Sequence, residues 1–184
     1  MDDNSKAAWE LKAYNWISLC EDEIATWHDC KDFSVNKYIL DWKTNRRSSR
    51  GGWYSTGPGI NIAMSIATRD RGKVFRMYEY ASFDANSFIG GFYATDNNLA
   101  LGMTICHEMA HAVQFYRIFA LGYKRGAPHG PDFRNPYKTL RHRILNNKLP
   151  NQQLIKKQYD NLVNNISGKV VTTKELNHLF GITA

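Results

Sequence analysis

The 24 residues from Leu99 to Gly122, LALGMTICHEMAHAVQFYRIFALG, constrain this chain more than any other stretch. Asp96, Asn97 and Asn98 supply N-cap chemistry in front of it and Gly122 supplies a stop, so the pattern predicts one long helix. A helix apolar around its whole circumference has to be buried, and the remaining elements must wrap it. In its middle stand His107, Glu108 and His111, in the pattern HExxH. A separation of four residues puts both imidazoles on one face, one turn apart, where they can share one ion. Glu108 lies about 100° round the helix from His107, so its carboxylate falls beside such an ion, in the place of a base. Buried without partners, these groups would cost several kcal/mol of desolvation, a penalty that a divalent cation removes.

A catalytic zinc site takes three protein ligands and keeps a fourth position for water, so a third ligand must come from elsewhere. The metzincin pattern would put glycine three and histidine six residues beyond His111, but Gln114 and Arg117 stand there. A glutamate from a later helix is also ruled out, because the sole glutamate after the motif is Glu175, close to the end. His129 and Asp132 remain. His129 is the better choice: Gly126, Pro128, Gly130 and Pro131 around it let the chain fold back over a metal, and Pro131 suits a helix start. Asp132 fits a supporting acceptor or a helix N-terminal group, with exchange of the two roles as the alternative.

Around this helix the periodicities predict an α+β fold. Trp9, Ala13, Trp16, Ile17, Cys20, Ile24 and Trp27 recur at helical steps and predict an N-terminal core helix over 7–30. His28 and Cys30 near its end lack partners for a second metal site and are read as packing and capping residues. A short strand is expected around Tyr38 to Trp42, followed by a loop over 43–59. INIAMSIA (60–67), KVFRMYEYASF (73–83) and SFIGGFYATD (87–96) read as strands of a small sheet of about three, with a bend at Gly90 and Gly91. Further helices are expected over 133–146 and 151–166. The division expected is a domain over 1–149 and a small basic helical appendage over 150–184.

The chain of 184 residues carries a net charge of +7, distributed unevenly. Residues 1–32 hold three Lys/Arg against eight Asp/Glu, which leaves 21 against nine beyond them. A basic body attracts polyanions, and the loop Lys43, Arg46, Arg47, Arg50 with Trp53 beside it has the phosphate-plus-stacking chemistry that single-stranded nucleic acid uses. A solvated loop anchored by its aromatics accounts for the same residues equally well. Three cysteines without CxxC spacing argue against a disulfide framework, and no apolar run is long enough to span a membrane. With an acidic start that lacks a secretory pattern, these features predict a cytoplasmic or nucleoid-associated protein.

HEMAHA, a gap, then HGPDF resembles the SprT-like metallopeptidase domain of the Spartan/SprT family, whose pattern is HExxH followed downstream by HGxxF. The resemblance is firm over 99–146 and covers about two thirds of the chain. It implies a zincin-like fold, with one zinc ion on His107, His111 and His129 and with Glu108 as catalytic base; Gly130 and Phe133 match the flanking positions. It also implies an endopeptidase acting on DNA-associated proteins, of the DNA–protein crosslink type. The chain departs from many relatives in having no cysteine after Asn147, hence no zinc ribbon, and resembles compact forms found on phages and mobile elements. Arg134, Tyr137 and His142, on the helix after His129, are the candidates for a donor to the tetrahedral oxygen, against plain surface or packing roles. The alternative function is a nucleic-acid-binding or host-interaction (anti-restriction-like) protein with a structural metal. A third reading is a peptidase that cuts a repressor without touching DNA.

Overall fold

The computed structural model describes residues 2–43, 49–68, 75–77, 92–94 and 96–145. The chain divides into two compact units, Met1–Thr68 with Leu101–Lys148, and Arg69–Ala100 with Leu149–Ala184. The described elements confirm a mixed α+β composition.

The first unit opens with helix α1, Asp3–Ala25. Its start is set by Asp2, whose carboxylate accepts the Ser5 backbone N–H at 2.7 Å, while Asp3 adds negative charge in the first turn. Ala13, Trp16, Ile17, Cys20 and Ile24 form the buried stripe, as the three- and four-residue steps predict. The helix stops earlier than the pattern suggests, because Thr26 folds its hydroxyl back onto the Glu23 carbonyl at 2.7 Å.

Three strands follow: β1, Lys37–Asp41; β2, Arg50–Tyr54; and β3, Gly57–Ala63. Their order is β1-β3-β2, with β1 parallel and β2 antiparallel to β3. The chain thus crosses to the far edge before a two-residue turn at Ser55 and Thr56 returns it to the middle. Gly57 exits that turn at φ 120°, a conformation that L side chains rarely adopt. Central β3 is buried along its whole length, whereas β1 and β2 are edges.

This arrangement corrects the sequence reading in two places. The stretch 43–59, expected as loop, contains β2 and the start of β3. INIAMSIA is half strand, since β3 ends at Ala63 and a short helix, α2, occupies Ser65–Thr68. Tyr38 to Trp42 does contain β1, offset by one residue. In the second unit, β4 (Phe75–Met77) and β5 (Phe92–Ala94) pair antiparallel as a separate two-stranded sheet, with Phe75 opposite Ala94. The rest of the two predicted strands there, Gly90 and Gly91 included, and the helix expected over 151–166 lie outside the described residues.

Helix α3, Asn97–Phe119, is the long apolar helix read from the sequence, and its Leu101, Met103, Ile105, Cys106, Met109, Ala110, Ala112 and Val113 are all fully buried. α1 packs closely on it: a Cβ built at Gly102 would sit 2.6 Å from the Trp16 indole, so this position tolerates no side chain without movement. One turn on, the Cys20 and Cys106 sulfurs lie 3.8 Å apart. Helix α4, Pro131–Leu140, turns Phe133, Pro136, Tyr137 and Leu140 inward, and a π-helical segment, Arg141–Leu145, continues it over the span predicted as one helix. Among the described residues, no helix is long and apolar enough to cross a membrane.

Candidate metal centre

Three elements of the first unit converge on one place. Helix α3 presents His107, Glu108 and His111, and β2 lies directly against it: a Cβ on Gly51 would fall 1.9 Å from the Glu108 carbonyl oxygen and 2.8 Å from the His111 Cβ. The third contributor is the exposed stretch 121–128 between α3 and α4, which leads the chain back to His129. Gly122 makes the reversal at φ 73°. The return path is pinned at both ends. Arg117 holds Asp29 through two hydrogen bonds of 2.7 and 3.0 Å, and the Tyr123 N–H donates to the Arg117 carbonyl at 2.9 Å. Buried Gln114 donates from Nε2 to the Ala127 carbonyl at 3.0 Å, and the Gly130 N–H then closes a turn on that same carbonyl.

The outcome is a cluster of three imidazoles. His107, His111 and His129 each offer a ligand nitrogen, all within 4.8 Å of one another, close enough to bind one metal ion. The Nε2 atoms of His111 and His129 are 2.9 Å apart. Gln114 Oε1, an acceptor, faces His111 Nδ1 at 3.4 Å; this favours the tautomer protonated at Nδ1 and leaves the Nε2 lone pair for a ligand role. Burial, reinforced by His107 and His129, holds the His111 imidazole down at about 3, and burial followed by His107 lowers His129 too. Such rings are neutral donors at ordinary pH, the form that a metal requires.

Phe133 closes the apolar side of the cluster, with ring centroids 4.9, 4.2 and 4.8 Å from His107, His111 and His129. Tyr137 stands one turn along α4, its ring 5.4 Å from His107 and its buried hydroxyl without a hydrogen-bond partner among the described residues. Glu108 is 7 % exposed and does not belong to the three-ligand cluster. Its Oε2 accepts the Gly51 backbone N–H at 2.6 Å, a bond that fixes one carboxylate oxygen.

The remaining residues singled out in the sequence are more scattered. Asp132 is exposed in the first turn of α4 and is not part of the cluster; its carboxylate lies where a Cβ on Gly126 would come within 2.7 Å. Arg134 and His142 are exposed. Lys43 is exposed, Arg50 and Trp53 stand in β2, and Arg46 and Arg47 lie outside the described residues. Trp53 rests against Phe119 with centroids 5.2 Å apart. Cys30 is buried with its thiol 3.5 Å from Asp29, and neither it nor His28 joins a metal-ligating group among the described residues. The sequence reading missed Gly51 and the tethering role of Gln114. A glycine pair in a basic stretch says nothing of a helix 57 residues further on, and Gln114 registers there only as a residue that is not glycine.

Comparison with protein-family models, with curated proteins and with solved structures finds no match to this chain.

Proposed function

We propose that this protein is a zinc-dependent endopeptidase with a zincin-like, SprT-like arrangement, its metal held by His107, His111 and His129. The observation that carries the reading is the convergence of three imidazoles with a buried carboxylate beside them that is not one of the ligands. The donor set suits a borderline cation of the zinc type, and Tyr137, whose buried hydroxyl has no hydrogen-bond partner among the described residues, packs its ring against His107. When bound, zinc lowers the pKa of a water that it polarises to about 7 and draws electron density from a peptide carbonyl.

The residues of the chain do the rest. Glu108, held in place by the Gly51 N–H, accepts a proton from the attacking water and returns it to the departing amine nitrogen, so the carboxylate ends as it began. The Phe133 ring excludes water from one side, which strengthens every charge interaction within. Tyr137 is the favoured donor to the carbonyl oxygen as it gains charge, because Arg134 and His142 are exposed and its own hydroxyl is unspent. Among the described residues β2 is an edge strand, and beyond Gly51, whose N–H is taken by Glu108, it can receive an extended polypeptide by strand addition, which suits cleavage within a chain. The net charge of +7 together with Arg50 and Trp53 supports substrates that sit on DNA, as the Spartan/SprT resemblance implies.

The reading is tested by incubating zinc-loaded protein with a DNA-binding protein, with and without single-stranded DNA, beside the Glu108→Gln variant. The variant is expected to bind zinc normally and to lose at least about a thousandfold in rate, since general-base catalysis contributes about that much. Cutting by Glu108→Gln at the native rate would remove the assignment, and cutting that ignores DNA would leave the peptidase and remove the DNA-associated substrate. The rival reading, a nucleic-acid-binding protein with a structural metal, requires a fourth protein ligand, and among the described residues the cluster has three.

A further inference from the structure

A cavity of about 350 Å³ opens beside β2 and α3, and the chemistry above makes no use of it. Trp53 and Tyr116 are among its walls, Asp32, Ser34 and Asn36 come from the segment ahead of β1, and Thr56 from the β2–β3 turn. Its charge is one-sided. Asp32 is the one ionisable carboxylate in the lining, no lysine, arginine or histidine lines it, and among the described residues Asp32 has no ion-pair partner. Two nearby cations are engaged elsewhere: Arg117 grips Asp29, and the Lys37 ammonium lies 5.2 Å over the Tyr54 ring. Burial and then the Asp32 carboxylate push the Tyr116 phenol up, so it stays a neutral hydroxyl at the cavity wall.

An unpaired carboxylate among hydroxyls and aromatic faces is a receptor for a cation carried on an apolar stem. The ammonium or guanidinium meets the carboxylate and the stem lies on the rings. The cavity also shares its strand with the metal centre. Trp53 is two residues from Gly51 in β2, a rise of about 7 Å, and points to the same face of the sheet, while Gly51 touches Glu108 and His111.

We propose that this cavity is a subsite for a lysine or arginine side chain of the polypeptide cut at the metal centre, one or two residues from the scissile bond. The proposal rests on the peptidase reading, and two measurements separate them. In the first, the zinc-loaded Glu108→Gln protein is titrated with a ten-residue peptide containing lysine and with its twin carrying glutamate, and NMR follows the Trp53 indole and Tyr116 amide signals. The lysine peptide is expected to move these signals with about tenfold tighter binding than its twin, and Asp32→Asn to erase most of that ratio. Signals that stay still, or equal affinities, overturn the proposal. Nα-acetyl-lysine amide, which keeps its side-chain ammonium, binding as tightly as the peptide would overturn the substrate assignment and make this a small-cation site.

In the second, the wild-type protein is given quenched fluorescent forms of the same peptides. A lysine-to-glutamate ratio in kcat/KM of about ten that falls below one in Asp32→Lys supports the subsite. Equal cutting of both peptides sinks the subsite and keeps the peptidase. Lysine-selective shifts at Trp53 with no cutting of either peptide keep the cation pocket and sink the peptidase.

Discussion

Gly51 shows how much one residue can carry without any chemistry of its own. Its N–H holds Glu108 Oε2, and its missing side chain lets β2 lie on α3 at a distance where a methyl group would overlap the Glu108 carbonyl. Neighbouring Gly52 has open space where its side chain would be. Gly51→Ala is therefore expected to destabilise the fold by on the order of 1–3 kcal/mol and to displace Glu108, whereas Gly52→Ala has far smaller effects; chemical denaturation of the two variants checks the contrast. Equal losses from both would show that β2 does not rest on α3 through Gly51. At this scale the sequence was legible where chemistry is written into residue type. HExxH announces its own geometry, and His129 stands between turn-forming residues. Gly51 was illegible because its necessity comes from a tertiary approach, and Asp132 was a reasonable rival to His129 until their places relative to the other two imidazoles were known.

Among elements, α3 was the most readable, because a run of apolar residues with a cap and a glycine stop has few other solutions. β2 was the least: Gly51 and Gly52 weaken strand propensity, and only the pairing with β3 and the support of α3 make RGGWY a strand. The return from α3 to His129 depends on the ion pair between Arg117 and Asp29, which ties the end of α3 to the segment after α1. The Arg117 guanidinium holds the Asp29 carboxyl below its ordinary value of 3.8. That contribution to stability is complete above the ordinary value and is lost as pH falls through the lower folded-state value. Asp29→Asn is expected to cost about 1–2 kcal/mol at pH 7 and much less near pH 2, as read from denaturant midpoints at the two pH values. An unchanged difference at low pH would mean that the pair contributes packing rather than charge.

For the molecule as a whole, the α+β class was legible, but the pairing of the strands was not. The strands expected around 38–42 and within 60–67, 73–83 and 87–96 coincide in part with β1, β3, β4 and β5, whereas β2 was missed and β4 with β5 form a pair separate from the three-stranded sheet. Periodicity locates apolar faces but does not say which strands meet, and here the order β1-β3-β2 is set by a crossover followed by a tight turn. That order puts β2 against the helix bearing Glu108, and so unites fold and site: one strand holds Glu108 through the Gly51 N–H and supplies Trp53 to the acidic cavity.

X-ray absorption at the zinc edge tests the proposed ligand set most directly. The protein loaded with one equivalent of zinc is expected to show three imidazole nitrogens at about 2.0–2.1 Å with the remaining coordination from light oxygen donors, and His129→Ala to lose one imidazole and bind zinc at least tenfold more weakly. Sulfur scattering, a closed shell of four protein ligands, or an unchanged spectrum and affinity in His129→Ala would contradict it.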